Sequence, residues 1–314
     1  MKAGSGPNLT ASVHQRLLNV ARGTGRPFQE LLQYFAMERF LYRLSCSPYA
    51  EDFVLKGALL LSVWQGPASR STRDIDLAGR LALSPDDMTA VIRTICAQPV
   101  PPDGIVFDSV VSGVRIRDAD VQGGIRITFA GRLDRAMVKM QIDVGFGDIV
   151  TPAPIKLTYP ALLSFPAPIL TGYPRETVVA EKLEAIVTLG LINSRMKDYF
   201  DLWFLSRSFD FEGETLTEAI RRTCAHRRTE LPAVPTGLTD AFSEDTAKRQ
   251  QWQGFLRTSA LDTAEQDLRT VLAALRVFLI PMTEALSKGE AFQSTWTAPG
   301  PWVASETAHP SMEK

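Results

Sequence analysis

The sequence has few of the residues on which disulfide frameworks and zinc sites depend. Its 314 residues include only three cysteines and three histidines. Cys46, Cys96 and Cys224 are odd in number and far apart, whereas zinc ligands recur at short spacings and disulfide scaffolds use paired cysteines. We therefore expect a reduced cytoplasmic protein without a disulfide or a zinc site, in which each cysteine packs as a small apolar residue.

Long uncharged apolar runs and a large net charge are missing as well. No uncharged apolar segment reaches the ~18–20 residues that cross a bilayer, and the N-terminus lacks the pattern of a signal peptide. The net charge is −1, so any contact with nucleic acid has to come from a local cluster of basic residues. With 45% hydrophobic and 22% charged residues, the composition is that of a soluble globular protein without a membrane span.

The spacing of apolar residues divides the chain into helical and mixed segments. Helices are predicted over 8–22, 27–46, 53–64, 176–191, 197–206, 214–227, 243–258 and 262–287, and a capped helix begins at Ser84. Strands are predicted for the segment that begins at Asp74 and over 105–107, 110–116, 124–129 and 136–144. The proline-rich stretches 151–154 and 159–174 are predicted to be irregular. This α+β pattern predicts an N-terminal helical cover (1–48), a mixed-sheet core (49–158), a helical domain (159–290) and a flexible tail (291–314).

The motif with the clearest chemistry is Asp74-Ile75-Asp76-Leu77. In an extended segment, Asp74 and Asp76 share one face, while Ile75 and Leu77 point into a core. Two carboxylates on one face are suited to Mg²⁺, which is usually held by one or two carboxylates together with substrate phosphates. A solvated strand edge or a turn would tolerate the same residues.

Two flanking features are compatible with a phosphate and metal site. Lys56-Gly57 interrupts an apolar run, and the glycine would let backbone N–H groups approach a phosphate; the alternative is a buried helix start. Asp143 lies in an alternating strand on the face opposite Ile142 and Val144, where it could supply a third carboxylate. A carboxylate in a turn at the end of the strand is the alternative.

Four segments together resemble the AbiEii/AbiGii toxin family, which includes the MenT toxins and is a branch of the DNA polymerase β-like nucleotidyltransferases. They are Lys56-Gly57, Arg73–Leu77, Glu181–Ala185 and Arg195–Leu202, and the last fits the family's Arg-x-Lys-Asp-x-x-Asp motif at all four defined positions. The resemblance covers about residues 50–206. Ala58 is a departure, because many members of the superfamily have Ser or Gly there.

The resemblance implies a polymerase β-like core and Mg²⁺-dependent, two-metal transfer of NMP from NTP to a hydroxyl, with release of pyrophosphate. It also implies a toxin of a toxin–antitoxin or phage-defence system, with the tRNA 3′ acceptor end as acceptor and an antitoxin as partner. The implied metal ligands are Asp74, Asp76 and Asp143; the implied nucleotide-binding residues are Lys56, Gly57, Thr72, Arg73, Lys182 and Arg195. Lys182 and Asp198 are expected to act in catalysis with the metal-binding pair Asp74 and Asp76.

For two of these segments, ordinary structural roles are the alternatives. Lys182 lies in a largely apolar helix and could extend its side chain to solvent instead of binding phosphate. Arg195 and Asp198, as well as Lys197 and Asp201, are spaced for salt bridges within a helix. Asp201 could equally hold Lys197 in place.

The most basic stretch contains Arg221, Arg222, Arg227 and Arg228. It could bind an RNA backbone, although basic residues also favour the C-terminal end of a helix. Two other functions are compatible with the sequence. A nucleotidyltransferase of the aminoglycoside-modifying type would use the same core for a small molecule, and a degenerate core would make a non-catalytic nucleotide-binding interaction module.

Overall fold

The structure is a computed structural model that describes residues 9–65, 70–116, 123–259, 261 and 265–304. The chain forms two compact units. The first comprises residues 1–148 and 154–173, and the second comprises 149–153 and 174–314. The chain enters the second unit at 149–153, returns to the first at Pro154 and passes to the second again after Tyr173, whereas the predicted core ended at residue 158.

The first unit is built on a mixed sheet. Its strands within the described residues are β1 (Phe53–Lys56), β2 (Asp74–Gly79), β3 (Ile105–Phe107), β4 (Ser112–Ile116), β5 (Gly124–Leu133), β6 (Ala136–Phe146), β7 (Ile155–Thr158) and β8 (Ile169–Gly172). Their order is β3-β5-β6-β2-β1-β8-β7, and β4 also pairs with β5. β2 runs parallel to β6, and β1 runs parallel to β8, whereas the other pairs are antiparallel. The predicted α+β class with a mixed-sheet core is confirmed.

Apolar residues on one face of this sheet pack against helices. The helices of the unit are α1 (Leu9–Thr24), α2 (Phe28–Ser45), α3 (Leu59–Gln65) and α4 (Pro85–Cys96). Phe40 of α2 meets Phe107 and Phe129 of the sheet, with ring centroids 6.0 and 5.6 Å apart. Ser84 caps α4, because its hydroxyl accepts a hydrogen bond from the Asp87 N–H. One face of the sheet is thus covered, and the alternate residues of β5 and β6 lie on the other face.

Two secondary-structure predictions for this unit are wrong. The helix predicted over Phe53–Trp64 is divided into β1 and α3, because Gly57 adopts φ +71° and breaks the run. The stretch 159–174, predicted to be irregular, contains β8, and β7 lies between the two proline-rich stretches, where no strand was predicted. Each of these strands has four residues, which is too short for an alternating pattern to stand out among the prolines.

The second unit is mainly helical. Its helices are α5 (Arg175–Leu189), α6 (Met196–Ser208), α7 (Gly213–Arg227), α8 (Asp240–Glu244), α9 (Thr246–Ser259) and α10 (Leu268–Lys288), with 3₁₀ turns at Gly190–Ile192 and Thr236–Leu238. Tyr199 stacks on Phe242 with ring centroids 5.0 Å apart. The predicted helices 176–191, 197–206 and 214–227 are confirmed with small changes at their ends.

The C-terminal segment, predicted to be a flexible tail, is ordered over residues 291–304. β10 (Ser294–Trp296) pairs with β11 (Trp302–Ala304) and with β9 (Phe211–Glu212). Trp296 is 2% exposed and donates a hydrogen bond to the Ser206 carbonyl at 2.6 Å. The prediction is wrong here because the two tryptophans supply enough apolar area to fix a segment whose composition is otherwise that of a linker. Residues 305–314 lie outside the described residues.

By length and composition, α10 is the one helix among the described residues that could cross a membrane. Its buried residues are Leu268, Val271, Leu272, Leu275, Phe278, Leu279, Met282, Thr283 and Ala285. Core helices of soluble proteins pass the same test. Packing within the second unit accounts for this helix.

Candidate active site

The first unit places four charged residues in one row across its sheet. Lys56 of β1 is the register partner of Asp76 in β2, Asp76 is the partner of Asp143 in β6, and Asp143 is the partner of Arg126 in β5. Register partners on adjacent strands lie about 5 Å apart at their Cα atoms. The predicted orientation is confirmed, because Asp74, Asp76 and Asp143 are half-buried while their neighbours Ile75, Leu77, Ile142 and Val144 are buried.

Gly57 is required by its conformation and by the position of Asp76. Its φ of +71° is disfavoured for residues with a side chain, and a Cβ placed on it would lie 2.7 Å from Cγ of Asp76. The glycine was predicted to allow close approach of a phosphate. In the structure it allows close approach of the Asp76 carboxylate.

Asp143 is paired with an arginine that the sequence analysis did not identify. Arg126 donates from Nε to Oδ1 at 2.8 Å and from Nη2 to Oδ2 at 2.7 Å, which is a bidentate pair. The arginine side chain is 41% exposed and that of Asp143 is 20% exposed. The third carboxylate of the predicted metal site therefore has a cation on both of its oxygens.

Lys56 likewise has a carboxylate partner beside the site. Its Nζ donates to Oδ2 of Asp148 at 2.6 Å, and the Tyr173 hydroxyl donates to the same oxygen at 2.8 Å. Asp148 is 9% exposed, so the three residues form a largely buried cluster. Nucleotide binding by Lys56 stays a prediction, and Asp148 fixes the position of its ammonium group.

The residues before β2 shape the entry to the carboxylate strand. The Thr72 hydroxyl is 3.4 Å from the Asp74 carbonyl, to which it donates, and the Thr72 N–H donates to the Tyr34 hydroxyl at 3.1 Å. Arg73 has an exposed side chain, and its carbonyl accepts from Gln33 at 3.3 Å. Of Thr72 and Arg73, only Arg73 therefore has an exposed side chain.

The carboxylates are suited to a divalent metal by donor type and by position, although they are not preassembled around one. Asp76 and Asp143 present hard oxygen donors from adjacent positions of parallel strands, which is compatible with Mg²⁺. Within the residues that the structure describes, no group of three or more acidic, histidine or cysteine side chains is arranged to hold a metal ion. Asp74, Asp76 and Asp143 are the residues that would hold it.

The second unit contains a separate charged network that joins α5 to α6. Lys182 donates to Oδ1 of Asp198 at 2.8 Å and lies 2.6 Å from Oδ2 of Asp201, and Nε of Arg195 lies 2.6 Å from Oδ2 of Asp198. The Asp198 and Asp201 side chains are 0% and 1% exposed, whereas Lys182 is 12% and Arg195 is 49% exposed. The spacing of Arg195 and Asp198 correctly predicted their salt bridge, and Asp201 is paired with Lys182.

This burial does not support the role expected of Asp198. Its two oxygens contact Lys182 and Arg195, and its side chain has no exposed surface. A carboxylate enclosed in this way does not meet an acceptor hydroxyl, which a general base has to approach within hydrogen-bonding distance. Asp198 instead positions the two cations, of which Arg195 is the more exposed.

The predicted RNA-binding cluster is only partly available to RNA. Arg227 donates to Glu184 at 2.7 Å and is 15% exposed, and Arg221 forms a bidentate pair with Glu218. Arg222 and Arg228 are exposed. Burial opposes ionisation of Glu184, but hydrogen bonds from Thr229, Arg227 and Thr188 outweigh it and lower the pKa of this carboxyl. The expectation that Arg227 binds RNA is therefore not supported, since its charge is offset within the fold.

Sequence reasoning missed Arg126, Asp148 and Tyr173. Arg126 carried a usable signal, because it alternates with buried Ile125 and Ile127 in a predicted strand. Its alignment with Asp143 depends on the register between β5 and β6, which residue spacing does not fix. Asp148 follows the turn at Gly147, which has φ +77°, and Tyr173 joins it from a distant part of the chain.

A mixed sheet that carries paired carboxylates next to a glycine turn is the core expected of a nucleotidyltransferase. The family model described as nucleotidyl transferase AbiEii toxin, type IV toxin–antitoxin system, matches residues 39–274. The chain belongs to this family and is a nucleotidyltransferase, which confirms the resemblance. Membership also implies an NTP substrate and an antitoxin partner.

Two solved structures are similar to the chain. JHP933 from Helicobacter pylori is 16% identical with a TM-score of 0.47, and the match covers 83% of this chain and 93% of that one. A candidate nucleotidyltransferase from H. pylori is also 16% identical, with a TM-score of 0.44 and coverage of 83% and 96%. No curated protein sequence matches the chain significantly.

Proposed function

We propose that the chain transfers an NMP from an NTP to a hydroxyl of RNA, with the tRNA 3′ acceptor end as the acceptor, and that it does so with Mg²⁺ bound by Asp74, Asp76 and Asp143. The observation that carries this proposal is the register that makes Asp76 and Asp143 neighbours on one half-buried face. Two carboxylates at such adjacent positions are close enough to bind one ligand together. An isolated Asp-x-Asp in a turn would not have this partner.

The residues of the first unit have separable roles in this reaction. Asp76 and Asp143 supply negative oxygens, and Gly57 keeps the space that Asp76 occupies. Lys56, held by Asp148, and exposed Arg73 supply positive charge for the triphosphate. The Thr72 hydroxyl keeps Asp74 at the start of its strand.

Divalent metal, when bound, would lower the charge of the triphosphate and favour attack by the acceptor oxygen on the α-phosphorus. The protein's contribution is to orient the carboxylates and exclude water from their buried side. In the second unit, we propose that Lys182 and Arg195 bind phosphate, with Arg195 as the more exposed of the two cations. Asp198 and Asp201 hold Lys182 and Arg195 in position.

The biological setting follows from the family. A toxin that modifies acceptor ends would act in the cytoplasm, where NTP and tRNA are abundant, and its antitoxin would limit this activity. Exposed Arg222 and Arg228 are the members of the basic cluster that would contact RNA.

The test is incubation of the full chain with each α-labelled NTP and Mg²⁺, with total tRNA, tRNA oxidised by periodate at its 3′ end, or aminoglycosides. Label on intact tRNA, and none on oxidised tRNA, is the expected result. Label on an aminoglycoside alone would replace the proposal with the small-molecule activity. Absence of label on every acceptor, with unaltered NTP, would favour a non-catalytic module.

A further inference from the structure

Arg126 pairs with one of the proposed metal ligands, and the geometry of this pair is specific. Both Asp143 oxygens accept a hydrogen bond from its guanidinium, at 2.8 and 2.7 Å. The two residues are register partners on antiparallel strands, so the backbone fixes their separation. The guanidinium occupies one lone pair on each Asp143 oxygen and offsets the carboxylate's charge, so it competes with a metal ion for Asp143.

The electrostatic reason for the pair lies across the sheet. Asp143 lies on β6, between β5 and β2. Its register partner on β5 is Arg126, and its register partner on β2 is Asp76. Two carboxylates at adjacent positions repel each other, and a guanidinium beside one of them offsets this repulsion. Arg126 therefore supplies, in the absence of metal, the positive charge that a metal ion would supply.

We propose that Arg126 is a positioning residue that exchanges partners: it holds Asp143 in the metal-free chain and moves to a phosphate of the nucleotide when Asp143 binds metal. The inference rests on the proposed function. Its side chain is 41% exposed and lies on the face of the carboxylates, so the guanidinium can leave Asp143 without being buried elsewhere. Metal alone then competes with the guanidinium for the charge of Asp143, whereas a bound nucleotide gives Arg126 a phosphate to pair with instead. Metal and nucleotide should consequently strengthen each other's binding.

Arg132 provides a matched control on the same strand. It lies six residues after Arg126, on the same face, and donates to both oxygens of Asp108 at 3.0 and 3.1 Å. Its partner is not one of the proposed metal ligands. The replacement Arg132→Gln therefore removes an equivalent surface pair and leaves the carboxylate row intact.

The experiment measures Mn²⁺ binding to the full-length chain by electron paramagnetic resonance, first without nucleotide. Arg126→Gln is expected to tighten Mn²⁺ binding about 2- to 5-fold, which is the range that ion pairs near a surface contribute. Arg132→Gln should leave the affinity unchanged. Arg126→Lys, which keeps one cation with a single contact, should fall between wild type and Arg126→Gln, and thermal unfolding verifies that each variant is folded.

The second part repeats the titration with α,β-methylene analogues of the four NTPs, one at a time. Nucleotide should tighten Mn²⁺ binding in wild type and in Arg132→Gln several-fold more than in Arg126→Gln. Weaker Mn²⁺ binding by Arg126→Gln without nucleotide, or equal tightening by nucleotide in all variants, would overturn the exchange. If wild type bound no Mn²⁺ in either titration, both the proposed metal site and the exchange would be refuted.

Discussion

At the scale of single residues, the site depends on a position where no side chain fits. Gly57 has a φ of +71° and lies close to the Asp76 carboxylate. A side chain at this position would therefore be unfavourable for two separate reasons, backbone strain and a clash with Asp76. Gly289 has the same φ of +71°, and a Cβ placed on it would have nothing within 4 Å. Comparing substitutions at Gly57 and Gly289 therefore separates the effect of backbone strain from the effect of displacing Asp76.

Gly57→Ala should lower the free energy of unfolding by more than Gly289→Ala does. Strain at positive φ costs about 1–2 kcal/mol, and this cost is common to both variants. The Asp76 clash adds to it only at residue 57. Nucleotide transfer should be lost in Gly57→Ala and retained in Gly289→Ala. Urea unfolding measures the change in stability, and a transfer assay measures the change in activity. Equal losses of stability and activity in both variants would show that Gly57 is needed only for its backbone conformation.

Residue spacing predicted which carboxylates of the candidate site share a face of the sheet, but it did not predict their partners. Asp74, Asp76 and Asp143 were predicted because alternation along a strand assigns each residue to a face. Arg126 and Asp148 were not, because their contacts depend on strand register and on a turn between distant residues. Lys182 was expected to face a phosphate. In the structure it contacts two buried carboxylates of α6, which the spacing of residues along its own helix could not predict.

At the scale of elements, ion pairs fasten α5 to its neighbours in the second unit. Lys182 connects α5 to Asp198 and Asp201 of α6, and Glu184 connects α5 to Arg227 at the end of α7. Buried carboxylates are costly when their cation is removed. The network therefore makes distinct predictions for stability and for catalysis.

Lys182→Ala should lower the free energy of unfolding by about 3 kcal/mol, because it leaves two buried carboxylates with one cation fewer. Adding Asp201→Asn should restore part of this loss by removing one of the charges. Lys156→Ala is the control, since Lys156 and Glu51 form a pair that is 59% and 64% exposed, and it should cost less than about 1 kcal/mol. Urea unfolding measures all three variants.

The same variants test the expected contact of Lys182 with triphosphate. Loss of such a cation commonly lowers the rate on the order of 10²–10³-fold, with a smaller effect on nucleotide affinity. Single-turnover transfer at saturating NTP should therefore remain low in Lys182→Ala with Asp201→Asn, although stability partly returns. Recovery of transfer together with stability would give Lys182 a structural role only.

The stability of the chain should depend on pH through Glu184. Its pKa in the folded chain is lowered below 4.5, so its ionised form is favoured by folding. A carboxyl with a lowered pKa contributes stability above its unfolded pKa, and this contribution disappears as pH falls through the folded value. Glu184→Gln should cost about 1–2 kcal/mol at pH 7, and the difference from wild type should shrink below about pH 4.5. A difference that stayed constant from pH 7 to pH 3.5 would contradict this role.

The elements themselves were largely predictable where they are long. The apolar periodicity of α2, α5, α6 and α7 and the alternation of β5 and β6 extend over enough residues to be recognised. The tail strands β10 and β11 have three residues each, and their order comes from burial of Trp296 against the second unit. Contacts of that kind are tertiary and leave no period in the sequence.

At the scale of the whole molecule, a net charge of −1 means that RNA binding has to be local. Exposed Arg222 and Arg228 should contribute to it, whereas Arg227 should contribute to stability. Replacing Arg222 and Arg228 by Ala should weaken tRNA binding and reduce the slope of log K against log salt by about 1–2. Arg227→Ala should leave the slope unchanged and lower the unfolding midpoint. An unchanged salt slope in the double variant would show that the basic residues stabilise the C-terminal end of their helix and do not bind RNA.

The central claim is that this chain moves a nucleotide, and not a terminal phosphate, by means of the Asp76 carboxylate. Parallel reactions with α-labelled and γ-labelled NTP and tRNA test it most directly, using wild type, Asp76→Asn and the exposed control Asp86→Asn. We predict α-label on the tRNA and γ-label in pyrophosphate for wild type and Asp86→Asn, and no transfer by folded Asp76→Asn. Transfer of γ-label to tRNA, or undiminished transfer of α-label by Asp76→Asn, would contradict the account.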